Sequence, residues 1–366
     1  MKKEFFDLFC YLSIMCIVFW TVPYKYKNIF LSVVSVMFML YVSIYTMFIL
    51  FLTSIFSFQA LNSYTRNKKD NMLIVWIYGF MILFIGVKLI IDNGYINLTV
   101  IGFSYFMCRQ IHCLIDVYSG KIGKLSFSDY IAYQLFLPTI YTGPINRYQI
   151  FERQFKRLKF DSKKLSISIE RIVYGCFKFI FVANYIVVLK LLPLISINTT
   201  STSILNLYGL SIVFWSYLYF AFSGLSDVAI GFSGCFGITI EENFNYPYKA
   251  KNIMDFWQRW HITLTSWVKD YVFMPVFSKF RSRTIAIVLA LIAIGLWHQI
   301  SIYYLVWGVY QALGIVIFQI YVSRFSDINK KIPFYIRNVF SRLYVFVWIL
   351  STIPVLFTMG LTHEVL

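Results

Sequence analysis

Charged residues are scarce in this sequence, and their scarcity excludes most classes of protein. Asp, Glu, Lys and Arg together make up 13% of the 366 residues, whereas hydrophobic residues make up 59%. An ordinary soluble domain is about one quarter charged, because polar groups must cover its surface. The composition therefore excludes a soluble enzyme and a disordered chain. It predicts a membrane protein whose segments cross the bilayer as helices.

Cysteine and acidic residues are also few. The six cysteines lie mostly within apolar runs and form no C-x-x-C pair, so they predict neither a disulfide framework nor a metal site. The 16 acidic residues are outnumbered by 33 basic ones, which gives a net charge of +17. Lysine and arginine collected in the cytoplasmic loops of a membrane protein explain this excess better than nucleic-acid binding does. We therefore expect no nucleic-acid partner.

Apolar runs long enough to cross about 30 Å of hydrocarbon recur along the chain. They lie at 5–22, 71–91, 172–195, 204–222, 284–300, 302–322 and 343–360. The run at 29–61 is too long for one span and predicts two shorter helices. Three further apolar stretches, 95–117, 127–145 and 224–238, are interrupted by charged residues, proline or glycine. Such segments are tolerated at membrane depth only beside protein or a water-filled cavity, so we expect kinked or re-entrant pieces there.

The expected fold is all-α, a polytopic membrane protein of about 9 to 12 helices if each span takes roughly 20 apolar residues. Residues 147–171 form the longest polar segment and are rich in Arg and Lys. We expect this segment to form a helix on the cytoplasmic surface. No repeat or linker divides the chain, so residues 1–366 are interpreted as a single integral-membrane domain.

Two of the four histidines stand in settings that suit chemistry. His298 lies in an otherwise apolar span, and His261 ends the polar-aromatic run at 255–261. An imidazole at membrane depth usually marks a site. Near neutral pH it can act as a general base on a hydroxyl group. A histidine that joins two helices by a hydrogen bond is the structural alternative for His298, and position alone leaves both open.

The other two histidines are not expected to be catalytic. His112 stands one helical turn from Arg109 and from Asp116, so an internal polar cluster explains it. His363 lies in the C-terminal tail and is given no role.

Acidic, amide and aromatic residues are concentrated between 222 and 275. Asp255 and Arg259 are four residues apart and can pair on one helix face. An aromatic belt at the bilayer interface would explain the tryptophans of this block. It would not explain the acid, amide, base and imidazole groups that accompany them, which favour a functional site.

Several runs in this block and around it resemble the bacterial branch of the membrane-bound O-acyltransferase family. That branch includes alginate O-acetylation proteins and the D-alanyl transfer protein of teichoic acid synthesis. The resembling runs are Leu-Ile-Asp-Val-Tyr at 114–118, Gly-Pro-Ile-Asn-Arg-Tyr at 143–148, Glu-Asn-Phe-Asn-Tyr-Pro-Tyr at 242–248, Asp-Phe-Trp-x-Arg-Trp-His at 255–261 and Leu-Trp-His at 296–298. The resemblance covers about 100–320, and further N-terminal helices are expected in 1–95.

The resemblance implies tilted helices around a central cavity or tunnel, in which a cytoplasmic acyl donor meets an acceptor on the outer side. It implies that His298 is a buried catalytic base and that His261, the second catalytic histidine, orients a substrate or partner. The residues expected to bind substrate or brace the site are Asn243, Asn245, Asp255, Arg259, Trp260 and Trp297. The sequence departs from the family at Gln299, where Gly is usual, and this side chain could crowd the site or hydrogen-bond in it.

The function implied is O-acyl transfer, with acetyl as the expected group, from a cytoplasmic thioester such as acetyl-CoA. The acceptor would be a hydroxyl of a cell-envelope polysaccharide or an extracytoplasmic partner transferase, and the enzyme would lie in the inner or plasma membrane. The sequence has no Gly-x-Ser-x-Gly elbow, zinc motif or Walker loop. The acceptor is therefore expected to supply the nucleophile, with no bound metal or tightly bound cofactor.

Two other functions remain open at this point. One is D-alanyl transfer to teichoic acid, with a small acidic acyl carrier protein as donor docking on the basic cytoplasmic face. The Tyr-Pro-Tyr run at 246–248 favours acetylation over this alternative. The other is a transporter of an envelope lipid or polymer, since broken helices and buried polar groups also fit that class.

Overall fold

The structure is a computed structural model that describes residues 2–66, 72–92, 102–140, 142–195, 203–325 and 333–359. Within these residues the secondary structure is helical and contains no strand. Eight of the described helical segments are long and apolar enough to cross a membrane. These findings confirm the predicted all-α, polytopic class.

The first half of the chain begins with long apolar helices, and shorter helices follow them. The helices of this half are α1 (Lys2–Thr21), α2 (Lys27–Val42), α3 (Ile44–Arg66), α4 (Met72–Asp92), α5 (Phe103–Tyr118), α6 (Phe127–Gln134), α7 (Tyr148–Lys156) and α8 (Ser162–Cys176). A π-helix, Phe177–Leu191, continues α8 without a break.

The second half contains the helices that carry the predicted site. They are α9 (Ile204–Cys235), α10 (Ile253–Arg259), α11 (Ile262–Val268), α12 (Met274–Phe280), α13 (Arg283–His298), α14 (Ile302–Arg324), α15 (Phe334–Leu350) and α16 (Thr352–Thr358). A π-helical turn, Lys269–Phe273, joins α11 to α12.

The long run at 29–61 is divided as predicted. Helices α2 and α3 meet at Ser43, whose backbone is extended at φ −162° and ψ 113°. The Ser43 hydroxyl accepts a hydrogen bond from the backbone N–H of Thr46 at 3.2 Å. This is the way a helix start is satisfied by a capping side chain, so the serine both ends one span and begins the next.

The interrupted stretch at 127–145 is also broken as predicted. Helix α6 ends at Gln134, and a short 3₁₀ turn, Leu137–Thr139, follows it. Of the stretch 95–117, residues 95–101 lie outside the described residues. The remainder forms α5, in which all three interrupting side chains, Arg109, His112 and Asp116, are buried.

The predicted break at 224–238 is wrong, because α9 runs through it to Cys235. Its glycines provide close packing. A Cβ atom added to Gly231 would lie 2.5 Å from Cγ1 of Ile172, and one added to Gly234 would lie 2.2 Å from the Ser168 hydroxyl. Small residues let membrane helices approach closely, and the composition of a segment does not distinguish that use from a break.

The prediction of one surface helix over 147–171 is also wrong. Only α7 is a separate short helix, residues 157–161 are not helical, and the segment from Ser162 onward belongs to a long helix. The Asp161 carboxylate accepts hydrogen bonds from the backbone N–H groups of Lys163 and Lys164, at 2.9 and 3.2 Å. This N-cap starts the long helix inside the basic segment.

The chain divides into two compact units. The first comprises Met1–Gly175 and Leu225–Glu241, and the second comprises Cys176–Gly224 and Glu242–Leu366. Every residue predicted for the site therefore lies in the second unit.

Candidate active site

A cavity of about 210 Å³ lies in the second unit, between α9, α10, α11, α13, α14 and the start of α16. Both His261 and His298 line it. The other polar groups that it presents are the hydroxyls and indoles of Trp215, Trp257, Trp260, Thr265, Tyr303, Tyr304, Trp307 and Thr352. Within the described ranges, no Asp, Glu, Lys or Arg lines this cavity. The two imidazoles are thus its most basic groups.

His298 is placed by the sharp connection between α13 and α14. It is the last residue of α13, and Gln299 after it is extended, at φ −156° and ψ 140°. The Ser301 hydroxyl accepts from the backbone N–H of Tyr304 at 3.4 Å and begins α14. The chain therefore reverses directly beside the imidazole, and the next helix supplies its ring neighbours.

Two aromatic rings of α14 pack on His298. The Tyr304 ring is stacked on the imidazole, with 5.7 Å between centroids and 23° between planes. The Trp307 ring meets it edge-on at 5.9 Å. These contacts fix the orientation of the imidazole, since aromatic pairs at such distances favour defined geometries.

Two glycines bring α13 and α14 close enough for this packing. A Cβ atom on Gly295 would lie 2.2 Å from the carbonyl oxygen of Tyr304. One on Gly308 would lie 2.7 Å from the carbonyl oxygen of Leu291. No real Cβ contact is that short, so any larger residue would separate the two helices next to His298.

The side chain of Asn243 holds the His261 ring in place. The side-chain oxygen of Asn243 accepts from the backbone N–H of Thr263 at 3.3 Å and from the Thr263 hydroxyl at 2.8 Å. It also lies 3.0 Å from Nδ1 of His261. Because a backbone N–H can only donate, the Asn243 atom is the oxygen, and Nδ1 of His261 must carry the hydrogen. In the neutral ring Nε2 is then the basic nitrogen.

The burial of His261 keeps its ring neutral. This residue lies outside the candidate membrane spans. Burial lowers the pKa of His261 well below its usual value, and the positive charge that His298 can carry lowers it further. At neutral pH the ring is therefore uncharged and can accept a hydrogen bond through Nε2.

Trp297 connects the two histidines. Its ring centroid lies 5.7 Å from that of His261 and 5.0 Å from that of His298, and both contacts are edge-on. Trp297 does not line the cavity itself. Its position indicates that it sets the separation of the two imidazoles.

The polar residues before α11 form a brace beside His261. Nε of Arg259 donates to Asp255 at 2.6 Å, and Nη1 donates to the carbonyl oxygen of Asn245 at 3.1 Å. The backbone N–H of Asn245 donates in return to the carbonyl of Arg259 at 3.0 Å, and that of Ile262 donates to the carbonyl of Asn243 at 2.9 Å. These bonds tie the segment at 243–245 to the turn that carries His261.

The structure thus separates the predicted site residues into two groups. His261, His298 and Trp260 line the cavity, whereas Asn243, Asn245, Asp255 and Arg259 do not. Direct substrate contact by this second group remains a prediction. Gln299, for which crowding of the site and a hydrogen bond in it were both left open, does not line the cavity either. His363 lies outside the described residues.

The expectation that His298 is buried is wrong, because the residue is exposed. The cause is its place at the end of α13, where no further helical turn covers it. Sequence reasoning also missed Trp215, Tyr304 and Trp307, which line the cavity. Aromatic residues make up 20% of the chain, so nothing in the sequence distinguishes these rings from membrane-belt residues.

Comparison with known proteins decides the family. The model of the membrane-bound O-acyltransferase family matches residues 95–361. The chain belongs to this family. It is therefore a multi-pass membrane protein of the O-acyltransferase class. The match extends beyond the region of about 100–320 over which the motifs were seen.

Three curated relatives show the range of the family around this chain. The teichoic acid D-alanyltransferase of Streptococcus thermophilus is 27% identical over 284 residues, which are 72% of this chain and 68% of that protein. The probable alginate O-acetylase AlgI of Pseudomonas fluorescens is 31% identical over 59% of this chain and 44% of its own length. The peptidoglycan O-acetyltransferase of Helicobacter pylori is 29% identical over 60% of this chain and 42% of its own.

These relatives differ in how much of them this chain spans. It spans about two thirds of the D-alanyltransferase but less than half of the two O-acetylating proteins. All three are named as enzymes that transfer acyl groups, and none as a transporter. The transporter alternative therefore has no support among them.

Proposed function

We propose that this protein transfers an acetyl group from a cytoplasmic thioester, such as acetyl-CoA, to a hydroxyl in the cell envelope. The acceptor is a polysaccharide or an extracytoplasmic partner transferase, and the enzyme acts from the inner or plasma membrane. The observation that carries this proposal is the pair of imidazoles in one aromatic cavity. That cavity lies within the region that matches the acyltransferase family.

The proposed reaction begins with proton removal by His298. The acceptor oxygen then attacks the thioester carbonyl, the carbon–sulfur bond breaks, and the proton passes to the leaving thiolate. His261, neutral and basic at Nε2, orients the acceptor hydroxyl. A base for the hydroxyl and donors for the oxyanion are the two requirements of such a transfer.

Two indoles are suited to act as the donors. Nε1 of Trp215 and Nε1 of Trp257 are buried and have no hydrogen-bond partner among the described residues, and both residues line the cavity. An indole N–H can only donate, so a developing negative oxygen is a fitting partner. Asn243 and Trp297, which were expected to bind substrate or brace the site, do not line the cavity and are not assigned this role.

The character of the lining supports acetyl as the acyl group. A D-alanyl group carries an ammonium, and none of the described residues that line the cavity offers a carboxylate to balance it. An acetyl group is uncharged and needs no such partner.

D-Alanyl transfer is the second candidate, because of the three relatives above the D-alanyltransferase matches the largest share of this chain. Aromatic faces can hold an ammonium without a carboxylate. The first unit also exposes a basic surface that would suit an acidic carrier protein. This surface, termed the basic face, comprises Arg153, Lys156, Arg157, Lys159 and Lys163.

The experiment compares envelopes from cells that make the wild-type protein or His298→Ala at equal membrane levels. Mild alkali releases ester-linked acyl groups, and chromatography identifies acetate or D-alanine. The proposal predicts acetate from the wild type and a loss of that acetate in the variant. D-Alanine with the same dependence on His298 would establish the second candidate. Unchanged acyl esters in the variant would contradict both.

A further inference from the structure

A second cavity of about 780 Å³ lies in the second unit, away from the two histidines. It is formed by the last turns of α14, the first turns of α15 and residues 251–252 before α10, and is termed here the α14–α15 groove. Its walls are largely apolar, with Ile317, Phe318 and Phe340 among them. An apolar groove of this volume is large enough for part of an acyl chain.

Two charged residues line the groove within the part of the chain that the structure describes, Lys251 and Arg337, and both are basic. The described residues of α14 and α15 carry three charged side chains, Arg324, Arg337 and Arg342, and all are basic. An apolar wall beside two cations is complementary to an amphiphile with an anionic head.

The position of the groove along the helices fits a lipid. Helices α14 and α15 both belong to candidate membrane spans. Ile317 is seven residues before Arg324, the last residue of α14, or about 10 Å at roughly 1.5 Å per residue. The groove therefore extends from the apolar part of the span to its end, which is the height at which lipid headgroups meet Lys and Arg.

We propose that the α14–α15 groove binds an anionic membrane phospholipid. Its phosphate lies against Lys251 and Arg337, and an acyl chain lies along Ile317 and Phe318. This binding site is separate from the acyltransferase cavity and does not depend on the function proposed for it.

Hydrogen bonds connect the groove to the brace beside His261. The Ser341 hydroxyl donates to the carbonyl of Lys251. The backbone N–H of Lys251 donates to the Asp255 carboxylate at 2.8 Å. The Asn252 side chain caps α10 by accepting from the Asp255 N–H at 2.8 Å. A lipid that holds Lys251 therefore stabilises the brace and, through it, the turn that carries His261.

The test of the headgroup contact uses the purified full chain in detergent. Phosphatidylglycerol or phosphatidylcholine is titrated in, and bound lipid is counted by native mass spectrometry. We expect phosphatidylglycerol to be preferred, and Arg337→Gln to weaken it about fivefold, the effect of roughly one interfacial charge. The matched control is Arg342→Gln, which removes the same charge from α15 at an exposed residue that does not line the groove.

The acyl-chain contact is tested with a variant whose larger side chain fills the groove. Ile317→Trp is expected to abolish retained phosphatidylglycerol, because the indole occupies the space of the chain. Ile320→Trp is its control, since Ile320 is 48% exposed against 46% for Ile317 but does not line the groove. Thermal unfolding of each variant confirms that it is folded.

Three results would overturn the proposal. Equal binding of phosphatidylcholine would show that the protein does not select an anionic headgroup. Equal effects of Arg337→Gln and Arg342→Gln would show that the groove is not the binding site. Lipid retained equally by Ile317→Trp and Ile320→Trp would show that the lipid binds elsewhere, or that a segment of the protein itself fills the groove. None of these readouts uses acyl transfer, so they are independent of the function proposed above.

Discussion

The two units each hold a polar cluster with a histidine, and the two clusters are built differently. In the first unit His112 is fully enclosed, at 0% exposure. Its Nδ1 lies 3.3 Å from the Asp116 carboxylate, and its Nε2 lies 2.9 Å from the Tyr133 hydroxyl and 3.3 Å from the backbone N of Tyr148. In the second unit His261 uses Nδ1 for Asn243, and its ring lines a cavity.

The difference shows what distinguishes a structural histidine from a candidate catalytic one. A ring whose two nitrogens are both engaged by neighbouring side chains and backbone has little left for a substrate. A ring that is held on one side and borders a cavity on the other can be oriented and still react. Burial and polar neighbours occur in both clusters and do not decide between them.

The largest effect is expected at His298. His298→Ala should lower acyl transfer about 10²- to 10⁴-fold, the usual contribution of a general base, with little change in thermal stability. Turnover of the purified variant by release of free thiol from the donor measures this. A variant that retains more than half of the wild-type rate would remove His298 as the base.

His112→Ala should have the opposite profile. It removes the acceptor of the Tyr148 backbone N–H and a hydrogen-bond partner of the Asp116 carboxylate, both inside the first unit. We expect a loss of about 1–3 kcal/mol of stability and an unchanged rate per folded molecule. Thermal unfolding together with turnover of the folded fraction checks this. If the folded fraction is inactive, the contrast between the two clusters fails.

Gly295→Ala should disturb the second cluster without touching an imidazole. The new methyl group would meet the carbonyl of Tyr304 and push α14 away from His298. Overpacking of this kind costs about 1–3 kcal/mol, and we expect turnover to fall together with stability. Gly86→Ala is the control, since a Cβ there meets nothing within 4 Å. Equal stability of the two variants would contradict the close packing.

Asn243→Asp should sharpen the role assigned to His261. The wild-type pKa of His261 is lowered by burial, so the neutral ring persists to a pH below its usual range. A carboxylate next to Nδ1 favours the protonated ring and raises that pKa. Activity should therefore fall off at a higher pH on the acid side than in the wild type, with the alkaline side unchanged. An identical pH profile would show that His261 need not be neutral.

The smallest effect concerns the basic face of the first unit. Reversal of Arg153, Lys156 and Arg157 to Glu is expected to raise the KM for an acidic carrier protein about two- to tenfold without unfolding the chain. The KM for a bare coenzyme thioester should change less. A carrier-protein KM unaffected by the triple variant would contradict docking on this face.

Much of the fold follows from simple features of the sequence. The spans follow from the length of the apolar runs, and the division at Ser43 follows because 29–61 is too long for one crossing. Two features were misjudged. Gly231 and Gly234 pack against a neighbouring helix and do not break α9, and Asp161 starts a helix inside a segment that looked uniformly polar. A tertiary contact decides the first case and a single capping residue decides the second, and a hydropathy profile detects neither of them.

The site was predictable only in part. His298 stands out because an imidazole in an apolar span is unusual, His261 because it ends a polar-aromatic run, and the resemblance to a family paired them. The ring neighbours Tyr304 and Trp307 follow only from the close approach of α13 and α14 at Gly295. The separation of lining residues from bracing ones depends on hydrogen bonds such as that between Asn243 and His261. No spacing in the sequence contains that information.

The most direct test is a cryo-electron microscopy structure with an unreactive acetyl-CoA analogue, in which a methylene group replaces the thioester sulfur. The account predicts the acetyl carbonyl in the cavity between His261 and His298, with its oxygen turned towards an indole N–H of Trp215 or Trp257. An acetyl group bound outside that cavity would contradict it.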